Sequence, residues 1–80
     1  MLSNDTIQEA AVHEALRTTV ANRNEKSLNY CISYAKAGLL MTGHALHDQI
    51  LYVLVNMTNW RGDTAEKVRT ILKDYIKNSK

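Results

Sequence analysis

Asn56-Met57-Thr58-Asn59-Trp60-Arg61-Gly62-Asp63-Thr64-Ala65-Glu66 closes one helix and opens the next, and it carries the only tryptophan of the chain. The six residues before it, Ile50-Leu51-Tyr52-Val53-Leu54-Val55, are apolar almost without relief. Gly62 breaks the pattern, and Asp63 with Glu66 three residues on forms an Asp-x-x-Glu start of the capping-box kind. Val68, Ile71, Leu72, Tyr75 and Ile76 then recur at helical spacing. The β-branched residues at 50–55 also allow a strand. A lone strand would have no partner, however, and the helical spacing extends in both directions. The stretch therefore reads as helix, turn, helix.

Working outward, four helices are expected, at about 7–21, 25–41, 45–60 and 64–77. In the third, Leu46, Ile50, Val53, Leu54 and Met57 line one face while Leu51, Tyr52 and Val55 lie off it. A helix apolar nearly all round needs neighbours on every side. Three short helices supply that poorly, so a homo-oligomer is expected. The fourth is the cleanest amphipath, with Lys67, Arg69, Thr70, Lys73, Asp74 and Lys77 outward and residues 78–80 fraying. Asn24 suits the N-cap of the second helix, whose inner stripe is Leu28, Cys31, Ile32, Ala35 and Leu39. Tyr30 and Tyr34, four apart, stand one above the other beside that stripe. Gly43 fits a left-handed break after it. The first helix opens on a Thr6-x-x-Glu9 capping box. Its apolar set (Ile7, Ala11, Val12, Leu16, Val20) suffices for docking on a core but not for founding one. The fold class expected is all-α: one domain over residues 1–80, a small bundle of three main helices plus a docked N-terminal helix.

Composition agrees. There is no proline and there are three glycines in 80 residues, so helix breakers are scarce. A chain of this length buries roughly 60–65% of its unfolded surface and is only marginally stable alone. The net charge of +2 is too small for the concentrated basic stripe of a typical nucleic-acid binder. The single Cys31 cannot form an intrachain disulfide, which fits a reducing compartment. Residues 1–6 lack a basic segment leading into an apolar one, so no signal peptide is expected. The apolar run at 50–57 is far shorter than the ~20 residues that span a bilayer. A cytoplasmic protein with no membrane association is the expectation.

Chemistry-bearing residues are sparse. Around Trp60, Arg61 could pair with a phosphate and the indole could stack on a base. Structural roles explain the same residues more simply: a ring closing the core, a left-handed Gly62 and a capping Asp63. Arg61-Gly62-Asp63 also spells an integrin-type tripeptide, taken as chance, and the glycosylation triplets at Asn4 and Asn56 are read likewise. His44 and His47 sit three apart, whereas two-histidine metal sites on one helix favour four and a third ligand. No metal site or cofactor is assigned. Cys31 reads as a buried small hydrophobe. No pair of acids is placed for acid–base work, so no catalytic residue is named and no enzyme is expected. The third and fourth helices could form a helix-turn-helix with Thr64, Lys67 and Thr70 near the reading end, although Asp63 and Glu66 oppose DNA there. The aromatic and cationic residues least required by the core are Trp60, Arg61, Tyr30, Tyr34 and Lys36, and these are the candidate ligand- or partner-binding residues.

Leu28-Asn29-Tyr30 with Tyr34-Ala35-Lys36, then Leu51-Tyr52-Val53-Leu54-x-Asn56-Met57-Thr58-x-Trp60-Arg61-Gly62 and Ala65-x-x-Val68-Arg69-x-x-Leu72-Lys73, span positions 28–73. Over these residues the chain resembles small all-helical proteins encoded by bacteriophages and prophages. The resemblance implies a context: such proteins act by binding a host protein, or by sequestering a nucleotide signal of host defence. It carries over no functional residues. The expected function is stoichiometric binding of that kind, with a counter-defence role. The alternative is a helix-turn-helix-like DNA-binding regulator.

Overall fold

The regular elements of the computed structural model, which describes residues 4–78 with side chains from Ile7 onward, are all helical. They are α1 (Asn4–Ala21), a single 3₁₀ turn (Lys26–Leu28), α2 (Cys31–Gly38), α3 (Gly43–Val55) and α4 (Asp63–Asn78). α1 packs on α2 and α4, and α3 packs on the same two helices from the other side of the ring. The core between them holds Val12, Ala15 and Leu16 from α1, Cys31 and Ala35 from α2, and Leu46, Ile50 and Val53 from α3. α4 adds Ala65, Val68, Leu72 and Tyr75, while Leu28, Met57 and Trp60 seal it from the connections. No helix among the described residues is long and apolar enough to cross a membrane.

α1 forms because no glycine or proline interrupts residues 4–21 and alanine, glutamate and leucine fill much of it. Its buried face differs from the expected one, since Ile7 and Ala11 are exposed and Ala15 and Thr19 turn inward. The Thr19 hydroxyl donates to the Ala15 carbonyl at 2.9 Å, so its burial leaves no donor unpaired. The helix starts at Asn4, upstream of the expected cap. The Thr6 side chain of the expected capping box lies outside the described ones, and the contact described for Glu9 is a distant one. Its carboxylate accepts the N–H of Gly43 at 2.7 Å.

The second helix is shorter than its apolar stripe. Instead of one helix over 25–41, Leu28 and Asn29 donate to Glu25 and Lys26 in three-residue steps, and α2 begins only at Cys31. Asn24 is therefore no helix cap: Glu25, in extended backbone (φ −71°, ψ 121°), precedes the 3₁₀ turn. At the other end Leu40 and Met41 donate to Ala37 and Gly38, the tightening that commonly satisfies terminal carbonyls. A Cβ added to Gly38 would stand 2.9 Å from Leu16 Cδ1, so it would have to displace the end of that buried side chain where α2 meets α1.

Gly43 (φ 59°) and Gly62 (φ 113°) take the positive φ expected at the two breaks. α3, however, stops at Val55, five residues before the expected end at Trp60. The Asn56 side chain explains this, because its Nδ2 donates to the Tyr52 carbonyl at 2.8 Å and competes with the backbone ladder. The next backbone donors bond in three-residue steps, Asn56 to Val53 and Met57 to Leu54. α4 matches its expectation within a residue at each end. Of the residues expected to fray, Asn78 is still helical, and Ser79 and Lys80 lie outside the described residues.

Candidate functional site

The helix junction is built on Arg69. Expected on the outer face of α4, its side chain is only 14% exposed. The guanidinium donates to the carbonyls of Met57 (3.2 Å) and Trp60 and to the Glu66 carboxylate (3.0 Å). One fork thus satisfies two carbonyls of the irregular connection 56–62 and pins it to the first turns of α4. Glu66, expected to reach back to the helix start, is turned towards Arg69 instead. The connection is longer than the tight turn expected of a helix-turn-helix, and Arg69 is spent on it.

Trp60 is 3% exposed and belongs to the core. Its ring is not available to stack on a ligand, which corrects its placement in the candidate binding surface. Arg61, the next residue, is exposed and lines a groove with Ala21, Asn22, the run from Asn24 to Ser27, and Asn59. Tyr34 lies in a different neighbourhood. Its ring stacks on Tyr52 of α3 (centroids 5.8 Å apart, planes inclined 13°), and its carbonyl accepts from Gln49 Nε2 at 2.9 Å. Tyr30, in the position before α2, is 80% exposed, and Lys36 is exposed in the last turn of α2. Tyr30, four positions before Tyr34, has helical backbone (φ −85°, ψ −24°) at the N-cap of α2, and the ring stacked on Tyr34 is that of Tyr52.

Leu51 (44%), Tyr52 (56%) and Val55 (67%) are the large apolar residues of α3 that the other helices leave uncovered. With Asp48 they line a shallow depression of about 440 Å³, continued by the Tyr34 ring. This is a band of aliphatic and aromatic surface on the same helix whose opposite face forms the core.

Elsewhere the polar groups do structural work. Cys31 is fully buried, donates weakly to the Val53 carbonyl at 3.5 Å, and has its thiol pushed up to about 11 by burial. Such a group stays a neutral thiol at neutral pH and is a poor nucleophile. His47 packs between His44 and Tyr75, and its Nδ1 is 3.6 Å from the Asp48 carboxylate, beyond hydrogen-bond reach. Among the described residues, no group of three His, Cys, Asp or Glu is placed to hold a metal ion.

Sequence reasoning missed Lys26, Asn24 and Asn59, which join Arg61 around its groove. They belong to two loops more than thirty positions apart in the chain. No periodicity or motif links such positions, because irregular backbone brings them together. No family model matches this chain, and neither a curated protein nor a solved structure matches it.

Proposed function

We propose that this protein is a non-catalytic accessory protein of the phage type. It binds a host protein or a nucleotide signal stoichiometrically in a counter-defence role, and it works as a homo-oligomer joined through α3. The fold reading that goes with this is a bundle in which α1 docks across α2 and α4. The observation carrying the proposal is the uncovered band Leu51, Tyr52 and Val55 beside Tyr34. Exposed aliphatic and aromatic surface of this kind, on a helix otherwise buried, is favoured at protein interfaces. The Cys31 thiol, held neutral in the core, supports a binding role over a nucleophilic one.

Sedimentation equilibrium tests it. Wild-type protein at micromolar concentration should show a mass that exceeds the 9.1 kDa of one chain and rises with concentration. Leu51→Lys with Val55→Lys, at positions exposed in the single chain, should yield a helical monomer. A wild-type chain that remains monomeric and retains no host protein or nucleotide would overturn the proposal. The alternative, a DNA-binding regulator, is favoured by the exposed Lys67 and Lys73 on α4. Duplex binding that weakens steeply with added salt and depends on those two lysines would promote it.

A further inference from the structure

An open groove of about 680 Å³ runs between the end of α1 and the α3–α4 connection. One wall is Ala21, Asn22 and the run from Asn24 to Ser27, and the other is Asn59 with Arg61. Each wall is anchored by a buried apolar neighbour in the chain: Leu28, fully buried, beside Ser27, and Trp60 between Asn59 and Arg61. The first wall is further held by the Glu25 N–H on the Asn22 carbonyl and the Leu28 N–H on the Glu25 carbonyl, both at 3.0 Å. The second is held by the Arg69 guanidinium on the Trp60 carbonyl. The backbone of both walls is thus set before any ligand arrives, which lowers the ordering cost of binding.

The side chains define what fits. Lys26 and Arg61 supply two cations, and neither is engaged by a hydrogen bond or ion pair to another described residue. Glu25 supplies one carboxylate, so the charges of Lys26 and Arg61 against Glu25 leave the groove singly positive. Asn24, Asn59 and Ser27 offer amide and hydroxyl groups that both donate and accept. No aromatic residue lines it, and the Trp60 ring that could have stacked on a base faces the core. A polyphosphate would find too few cations, and a nucleobase would find no stacking partner. A phosphomonoester carrying several hydroxyls matches this lining by chemistry: Arg61 and Lys26 are the cations available to its phosphate, and the amides and Glu25 are the partners available to its hydroxyls.

The geometry points to this groove as the binding site of a small sugar-phosphate ligand. The inference rests on the stoichiometric-binding reading above and narrows its small-ligand arm, leaving any attached base outside the groove.

The test is an amide NMR titration of the full chain at low ionic strength with ribose-5-phosphate, and with inorganic phosphate, ribose and adenosine monophosphate as separate arms. Ribose-5-phosphate should shift the amides of residues 24–27 and 59–61 saturably. It should bind about tenfold more tightly than phosphate or ribose alone, and adenosine monophosphate should gain nothing from its base. Arg61→Gln and Lys26→Gln, both at exposed positions, should each weaken binding about tenfold or more without moving the thermal midpoint. The assignment is overturned if ribose-5-phosphate binds no better than phosphate, if its shifts fall elsewhere, or if both variants bind as wild type. Tighter binding of adenosine monophosphate would overturn the exclusion of the base. Failure of the groove with concentration-dependent self-association intact removes this inference alone. Release of inorganic phosphate from bound ligand, followed by phosphorus NMR, would instead uphold the groove and remove the non-catalytic reading.

Discussion

The carboxylate of Glu9 on α1 accepts the backbone N–H of Gly43 at 2.7 Å, across 34 positions of sequence. One turn further along the same helix, His13 Nε2 donates to the Met41 carbonyl at 2.8 Å. Glu9 and His13, four apart, thus grip the two sides of the α2–α3 connection, where Gly43 holds φ at 59°. The Glu9 charge also sits at the electropositive N-terminus of α3. A docked helix would be held by its apolar face alone, whereas α1 is also tied to the bundle by polar bonds.

Removing this grip should cost stability without changing the fold. Glu9→Ala is expected to lose about 1 kcal/mol, less than a buried charge-assisted bond contributes because the pair is exposed. Glu9→Gln, which keeps a carbonyl acceptor, should lose less. Urea denaturation measures both, and the Glu9→Ala and His13→Ala losses should be non-additive in the double variant because they secure one connection. Strict additivity would mean that the two contacts act independently.

Arg69 should matter far more than a helix-surface arginine. Arg69→Ala leaves the Trp60 carbonyl without its donor in a partly buried place and the Met57 carbonyl with the Trp60 N–H alone, and about 2 kcal/mol of stability should go with it. Lysine, a point charge without the planar fork, should recover less than half. Tryptophan fluorescence provides a second reading, since loosening the connection should move Trp60 emission to the red before global unfolding. A loss below about 0.5 kcal/mol, the size typical of a surface substitution, would show that the carbonyl contacts contribute little.

Cys31 makes the alkaline limb of stability testable. Burial raises its folded pKa from 9.0 to about 11. The unfolded chain therefore releases the thiol proton first as pH rises. Its contribution is fully present below pH 9 and is lost as pH climbs through about 11. The loss is on the order of 2 kcal/mol over that window. Cys31→Ala should be less stable at pH 7 and should lose less on going from pH 9 to 11. Parallel curves for the two proteins would contradict a buried neutral thiol. At pH 8, native Cys31 should also react with thiol reagents only as fast as the chain opens.

What was legible in the sequence is what local rules govern. The two glycine breaks, the amphipathic face of α4 and the inward Leu46, Ile50 and Val53 of α3 follow from spacing, positive φ and turn chemistry. The homogeneous apolar character of residues 50–55 also pointed to surface that one short chain cannot cover, and Leu51, Tyr52 and Val55 are where it is left uncovered. What escaped were competitions that spacing does not express. Asn56 ends α3 because its amide is close enough to the Tyr52 carbonyl to replace a backbone donor. Residues 26–28 wind as a 3₁₀ turn although their apolar spacing continues that of α2.

The candidate site divides along the same line. Composition along the chain marked Arg61, Tyr34 and Trp60 as aromatic and cationic residues near helix ends. Only the packing decided that Trp60 faces inward, that Tyr34 stacks on Tyr52, and that Arg61 and Lys26 line one groove. Residue type and helical period are properties of neighbours in sequence, so they are written in the chain itself. Which polar groups meet across a groove or grip a distant connection depends on how irregular loops settle against a closed core, and that is decided by the whole fold.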